Sequence, residues 1–77
     1  MKDCFLMDLE RTLQSGTPCF WKGNKYGYTY KLEFAGIFPE EIAVKLAKSD
    51  LDNKTIIIPL KLVQSILGKD LKQHEGI

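Results

Sequence analysis

Two prolines punctuate the second half of this chain, and they constrain its fold more than any other feature. Pro39 is followed by Glu40 and Glu41, and Pro59 by Leu60, with the run Thr55-Ile56-Ile57-Ile58 leading into the second of them. Proline is tolerated at a first helical position, where its missing N–H is not needed, and carboxylates there face the positive end of the helix dipole. The pattern predicts a helix over about 39 to 49. Ile42 and Leu46 lie four apart, as do Ala43 and Ala47, and Glu41 and Lys45 form a correctly ordered i, i+4 pair on the wet side. The β-branched run Thr55 to Ile58 reads as a strand buried on both faces, and so central in a sheet, entered from an Asp50-Leu51-Asp52-Asn53 turn. Pro59 ends that strand and opens a second helix, over about 59 to 67. Leu60, Val63 and Leu67 recur on one of its sides, Leu62 and Ile66 fill in beside them, and Gly68 closes it.

The first half reads as strand, short helix and hairpin. Cys4-Phe5-Leu6-Met7 is an apolar run too short for a helix, Asp8 offers an N-cap oxygen, Leu9 and Leu13 share a face, and Gly16 is a left-handed stop. Thr17 to Lys22 reads as a strand, and Gly23-Asn24 as a two-residue hairpin turn with positive φ at the glycine. Alternation then places Cys19 and Trp21 on one face, Phe20 and Lys22 on the other, and Tyr26, Tyr28 and Tyr30 together on the return. Thr29 is positioned to cap a single helical turn over Tyr30 to Ala35, ended by Gly36. The resulting expectation is a small α+β fold. It has a three-stranded, mainly antiparallel sheet (3–8, 18–22 and 55–58, with 26–29 extending it), a short N-terminal helix, and the two later helices covering one face. The expected core is Trp21, Leu32, Ala35, Ile42, Leu46, Ile57 and Val63.

Seventy-seven residues have interior enough for one small core, so residues 1–77 read as a single domain with 69–77 as a frayed polar tail. A core of this size leaves only about 3 to 5 kcal/mol, which makes homo-oligomerisation an open expectation. The net charge of +1 is too small to drive nucleic-acid or membrane binding by bulk electrostatics. No stretch approaches the roughly 18 apolar residues of a spanning helix, and Asp3 and Asp8 stand where a secretory signal would be apolar, so the expectation is a cytoplasmic protein with no membrane partner. Two cysteines, Cys4 and Cys19, are too few for a disulfide scaffold and lack metal-ligand spacing; reduced buried thiols are the first reading and a cross-strand bridge the second.

Catalytic chemistry has no frame here. His74 lies in the tail without a triad or metal cluster around it, Glu40 and Glu41 are explained as helix-start charges, and Asp50, Asp52 and Asn53 make half a calcium loop without its glycine or closing glutamate. The glycines at 23 and 27 sit in no phosphate-loop frame. No catalytic residue, metal or cofactor is therefore assigned. What remains is the segment from Thr17 to Leu32, which gathers Phe20, Trp21, Tyr26, Tyr28 and Tyr30 among Lys22, Lys25 and Lys31 with no acidic residue. Either these rings pack the core while the lysines solvate a hairpin edge, or an exposed subset forms a recognition face.

Over residues 20 to 41 the chain resembles small uncharacterised proteins encoded by bacteriophages and prophages, on a pattern carried by Trp21, Gly27, Tyr28, Thr29, Ala35, Gly36, Phe38, Glu40 and Glu41, with Ile58-Pro59-Leu60 later. The resemblance implies a phage accessory role in the host cytoplasm, inhibition of host defence among its forms. Trp21, Tyr28 and Thr29 coincide with that pattern and with turning and packing positions, so the expected partner-binding residues narrow to Phe20, Lys22, Lys25, Tyr26, Tyr30 and Lys31. The function expected is non-enzymatic binding of a host or phage protein. The alternative is a single-stranded nucleic-acid module that stacks bases on the same aromatics.

Overall fold

The computed structural model of the chain describes residues 2–23 and 27–68. Asn24, Lys25, Tyr26 and the expected tail with His74 lie outside the described residues. Strand β1 (Asp3–Asp8) organises the rest, because Cys4, Phe5 and Leu6 are almost wholly buried in succession. Successive side chains of a strand point to opposite faces, so three buried in a row require cover on both. On one face Cys4 and Leu6 pack with Phe38 and Ala43, joined by Trp21, Ile42, Leu46 and Ile57. On the other, Phe5 packs with Leu60, joined by Phe20, Leu32, Ile58 and Val63. Helices α2 (Glu40–Ser49) and α3 (Leu60–Leu67) therefore cover opposite faces of the sheet rather than one. Cover on a single face would leave Phe5 and Ile58 in water.

The sheet is antiparallel and has five strands, not three. Strand β5 (Thr55–Pro59) pairs along β1 from Cys4↔Pro59 to Asp8↔Thr55. The other edge of β1 is shared: β4 (Phe38–Pro39) lies opposite Asp3 and Cys4, and β2 (Phe20–Trp21) opposite Met7, with β3 (Tyr28–Thr29) outside β2. The central strand is thus β1, and β5, expected in the centre, pairs with β1 alone among the described strands. Its β-branched side chains fit a surface covered on both faces, but that composition is silent about what lies along its second edge.

Local signals fix the helix ends. Asp8 accepts from the Arg11 N–H at 2.9 Å to start α1 (Leu9–Ser15), and Gly16 stops it with φ 76°. Pro39 and Pro59 each close a strand and immediately precede a helix, and Gly68 ends α3 with φ 72°. The expected helical turn over Tyr30 to Ala35 contracts to a 3-10 turn at Leu32–Phe34, while the Thr29 hydroxyl accepts from the Lys31 N–H at 3.1 Å. Gly36 ends no helix: a Cβ there would lie 2.3 Å from the Gly23 Cα, so the two backbones touch where the hairpin meets residues 35 and 36. The register Trp21↔Tyr28, continued by the Lys22 N–H to the Gly27 carbonyl at 3.2 Å, does not fit a two-residue turn at Gly23-Asn24, and Gly27, not Gly23, holds a left-handed φ. All seven expected core residues pack against the two buried clusters, yet the most buried apolar side chains are Cys4, Phe5, Leu6, Cys19, Phe38, Ala43 and Leu60. Helix α3 is apolar beyond the face it buries, leaving Leu62, Ile66 and Leu67 exposed. Among the described residues, no helix is long and apolar enough to cross a membrane.

Candidate functional site

Alternation in the β2–β3 hairpin sorts the aromatic segment into packed and displayed rings. Phe20 shares its face with Thr29 and lies 5.9 Å from the Phe5 ring, so it belongs to the core beneath α3. Strand parity sets its side chain on the same side of the sheet as Phe5, where it is partly buried rather than fully displayed. Trp21 turns to the α2 face, packs with the other cluster, and meets Tyr28 edge-on at 6.1 Å and 81°. Its buried Nε1 has no hydrogen-bond partner among the described residues.

Tyr28 is held from two sides. The Arg11 guanidinium sits 4.0 Å from its ring centroid and reaches the Asp8 carboxylate at 3.2 Å, so the side chain that caps α1 also anchors the cation over the tyrosine. Cation–ring contact of this kind contributes about 0.5 to 1 kcal/mol at an exposed site and limits the ring's motion. Tyr28 keeps 39% of its surface in water, Tyr30 52% and Phe34 60%. The Lys31 ammonium lies 5.9 Å from the Phe34 ring centroid, and Lys22 is exposed beside Gly23.

Of the expected partner-binding residues, Lys22, Tyr30 and Lys31 are exposed on the β3 side of the sheet, Phe20 is withdrawn, and Lys25 and Tyr26 lie outside the described residues. Tyr28, Phe34 and Arg11 join the surface. Phe34 has no periodic partner that would have marked it as displayed, and Arg11 meets Tyr28 only through the fold. These exposed residues lie along β3 and the turn that follows it, Tyr28 beside Trp21 and Arg11 on the α2 face and Lys31 beside Phe34.

Elsewhere the polar groups serve the fold. The Asp50 carboxylate accepts from the N–H groups of Asp52 (3.2 Å) and Lys54 (2.9 Å) and from the Thr55 hydroxyl (2.8 Å), which organises the turn into β5. The Thr55 hydroxyl, foremost, holds the Asp50 carboxyl below its ordinary value. Cys4 and Cys19 are free and buried. Burial pushes both thiols up, reinforced at Cys4 by Glu40 and at Cys19 by Asp8, so both are poor nucleophiles near neutral pH. A cleft of about 720 Å³ opens where β1 begins and β5 ends, lined by Cys4, Glu40, Ile57, Pro59, Leu60 and Lys61 among others. The described residues contain no cluster of three or more histidine, cysteine or carboxylate groups placed to hold a metal. No family model, curated protein or solved structure matches this chain.

Proposed function

We propose that the chain is a non-enzymatic accessory protein, of the kind phages encode, that binds another protein through the strip formed by Lys22, Tyr28, Tyr30, Lys31 and Phe34. The observation that carries this reading is the display of three aromatic rings between Tyr28 and Phe34 in a chain too small to leave rings in water without cost. Aromatic side chains give large contact area with few rotamers to freeze, which is why they anchor interfaces. Lys22 and Lys31 are exposed beside them, so the partner surface is acidic at its rim and offers apolar pockets to the rings. Base stacking is less well supported, because the Phe20 ring is packed against Phe5 and the Arg11 charge is committed to Asp8.

The test compares parent protein with a Tyr30→Ala, Lys31→Glu, Phe34→Ala variant in affinity capture from host lysate, followed by titration of the recovered partner. A partner bound by the parent and lost by a variant with unchanged circular dichroism supports the reading. Equal binding by both proteins removes the strip from consideration.

A further inference from the structure

A second cleft, of about 360 Å³, lies on the α2 side of the sheet, between the start of α1, the β2–β3 hairpin and the end of α2. Its volume falls within the range of small-ligand sites, about 300 to 1,000 Å³. Trp21 and Tyr28 line it together, their rings nearly perpendicular at 81°. Trp21 is half-buried while its Nε1 is wholly buried, so the part of the indole that reaches water is ring carbon. The indole therefore offers the cleft a π surface and no donor.

The charges around this cleft do not balance. Asp8, Glu10 and Asp50 line it against Arg11 and Lys54. Arg11 is held by Asp8 at 3.2 Å, and Lys54 by Glu10 at 3.1 Å with Asp52 at 3.8 Å, which leaves Asp50 in no ion pair among the described residues. Asp50 is also the C-cap of α2, at the negative end of the helix dipole, and Lys48, the basic residue of that last turn, does not line the cleft. An added cation relieves that arrangement. The Lys54 ammonium is pushed above its ordinary value, first by its bond to Glu10 and then by Asp52 and Asp50, so the local field favours positive charge. One acceptor position on Asp50 is open as well. Its Oδ2 takes the Lys54 N–H and the Thr55 hydroxyl, whereas Oδ1 takes only the Asp52 N–H, and each carboxylate oxygen accepts two bonds.

We infer that this cleft binds a guanidinium group, which donates an N–H to Asp50 and lies against the Trp21 and Tyr28 wall. Other cations fit less well. A quaternary ammonium has no N–H for the open position on Asp50, and a primary ammonium gives up more hydration to reach an aromatic wall. The fold already makes the same match internally, since the Arg11 guanidinium stands 4.0 Å from the Tyr28 centroid with the Asp8 carboxylate bound to it. The incoming group repeats that pairing with Asp50 in place of Asp8. Its source is either a small guanidino compound or the arginine side chain of a partner.

Titration of the isotope-labelled protein with methylguanidinium chloride at fixed ionic strength, followed by NMR, tests this. Saturable shifts in the millimolar range are expected at the Trp21 indole, Tyr28 and Asp50 signals. Methylurea, the uncharged planar analogue, should produce none. Asp50→Asn should weaken binding by about tenfold or more, the worth of one charged hydrogen bond. Glu33→Gln, at a carboxylate outside the cleft, should bind as the parent does. So should the Tyr30, Lys31 and Phe34 variant, which makes failure here distinct from failure of the partner surface proposed above. A capped Gly-Arg-Gly peptide separates the two sources: binding about tenfold tighter than methylguanidinium assigns the group to a partner chain, and equal or weaker binding assigns it to a small compound. Absence of saturable shifts with both guanidinium probes overturns the inference. Equal shifts from methylurea, or undiminished binding by folded Asp50→Asn, do the same, and the methylurea comparison decides the matter even if Asp50→Asn does not fold.

Discussion

Gly36→Ala is the most direct probe of how the hairpin is fastened to the rest of the molecule. The added Cβ would lie 2.3 Å from the Gly23 Cα, 2.6 Å from its nitrogen and 2.8 Å from the Lys22 carbonyl carbon, all backbone atoms that cannot rotate away. Overpacking costs about 1 to 3 kcal/mol. Separating the strands also weakens the hydrogen bond from the Gly36 N–H to the Trp21 carbonyl, 2.9 Å in the parent, for about 0.5 to 1.5 kcal/mol. Against this, replacing glycine restricts the unfolded chain and returns about 0.4 to 1 kcal/mol. The net loss is about 2 kcal/mol, half the total stability of a small domain and equivalent to roughly 8 to 16 °C in melting temperature. Urea unfolding followed by Trp21 fluorescence reads it, with a lower midpoint and an unchanged slope. Gly16→Ala is the control: a Cβ there meets nothing within 4 Å, though its φ of 76° still costs about 1 to 2 kcal/mol. Only Gly36→Ala should alter the folded-state emission of Trp21. Coincident midpoints for parent and Gly36→Ala, or equal Trp21 emission in the two glycine variants, would refute the reasoning.

Two further expectations concern the core and the turn. Leu6→Ala, at a side chain with no exposed surface, should cost about 2 to 5 kcal/mol in chemical denaturation, whereas Ile66→Ala, 74% exposed, should stay within about 0.5 kcal/mol of the parent. Asp50 has a folded-state pKa below its ordinary 3.8, chiefly through the Thr55 hydroxyl, so its contribution is complete above that value and is lost as pH falls through the folded pKa. The stability gap between parent and Asp50→Asn should therefore narrow as the pH of a denaturation series drops below about 4, and a gap independent of pH would contradict the assignment.

The signals that the sequence carried were local ones. The Asp8 cap, the left-handed stops at Gly16 and Gly68, and the prolines ahead of both later helices all act within a few residues, and each stands where it was expected. What escaped were pairings between distant segments. The triple isoleucine run advertised a central strand, but among the described strands it pairs with β1 alone, and the aspartate-flanked run Cys4-Phe5-Leu6-Met7 lies in the middle. One clue was present: an uninterrupted apolar run in a strand demands cover on both faces, which would have placed the two later helices on opposite sides. Strand β4 is two residues long, too short for alternation to declare it. At the candidate site, the exposure of Tyr30, Lys22 and Lys31 was foreseen, whereas the partial burial of Phe20 depends on Phe5 across the sheet.

The placement of β1 at the centre has a consequence for the order of events during synthesis. Its full-length neighbour, β5, lies about fifty residues later in the chain, from Cys4 to its partner Pro59. At about 5 to 20 residues per second, the ribosome needs roughly 3 to 10 s to supply it. Throughout that interval Phe5 and Leu6 have been synthesised while the strand that shelters most of their length has not. The nascent chain thus carries this apolar segment well ahead of the strand that pairs along it, and the window for capture by chaperones or by another nascent copy is set by translation speed rather than by the rate of folding.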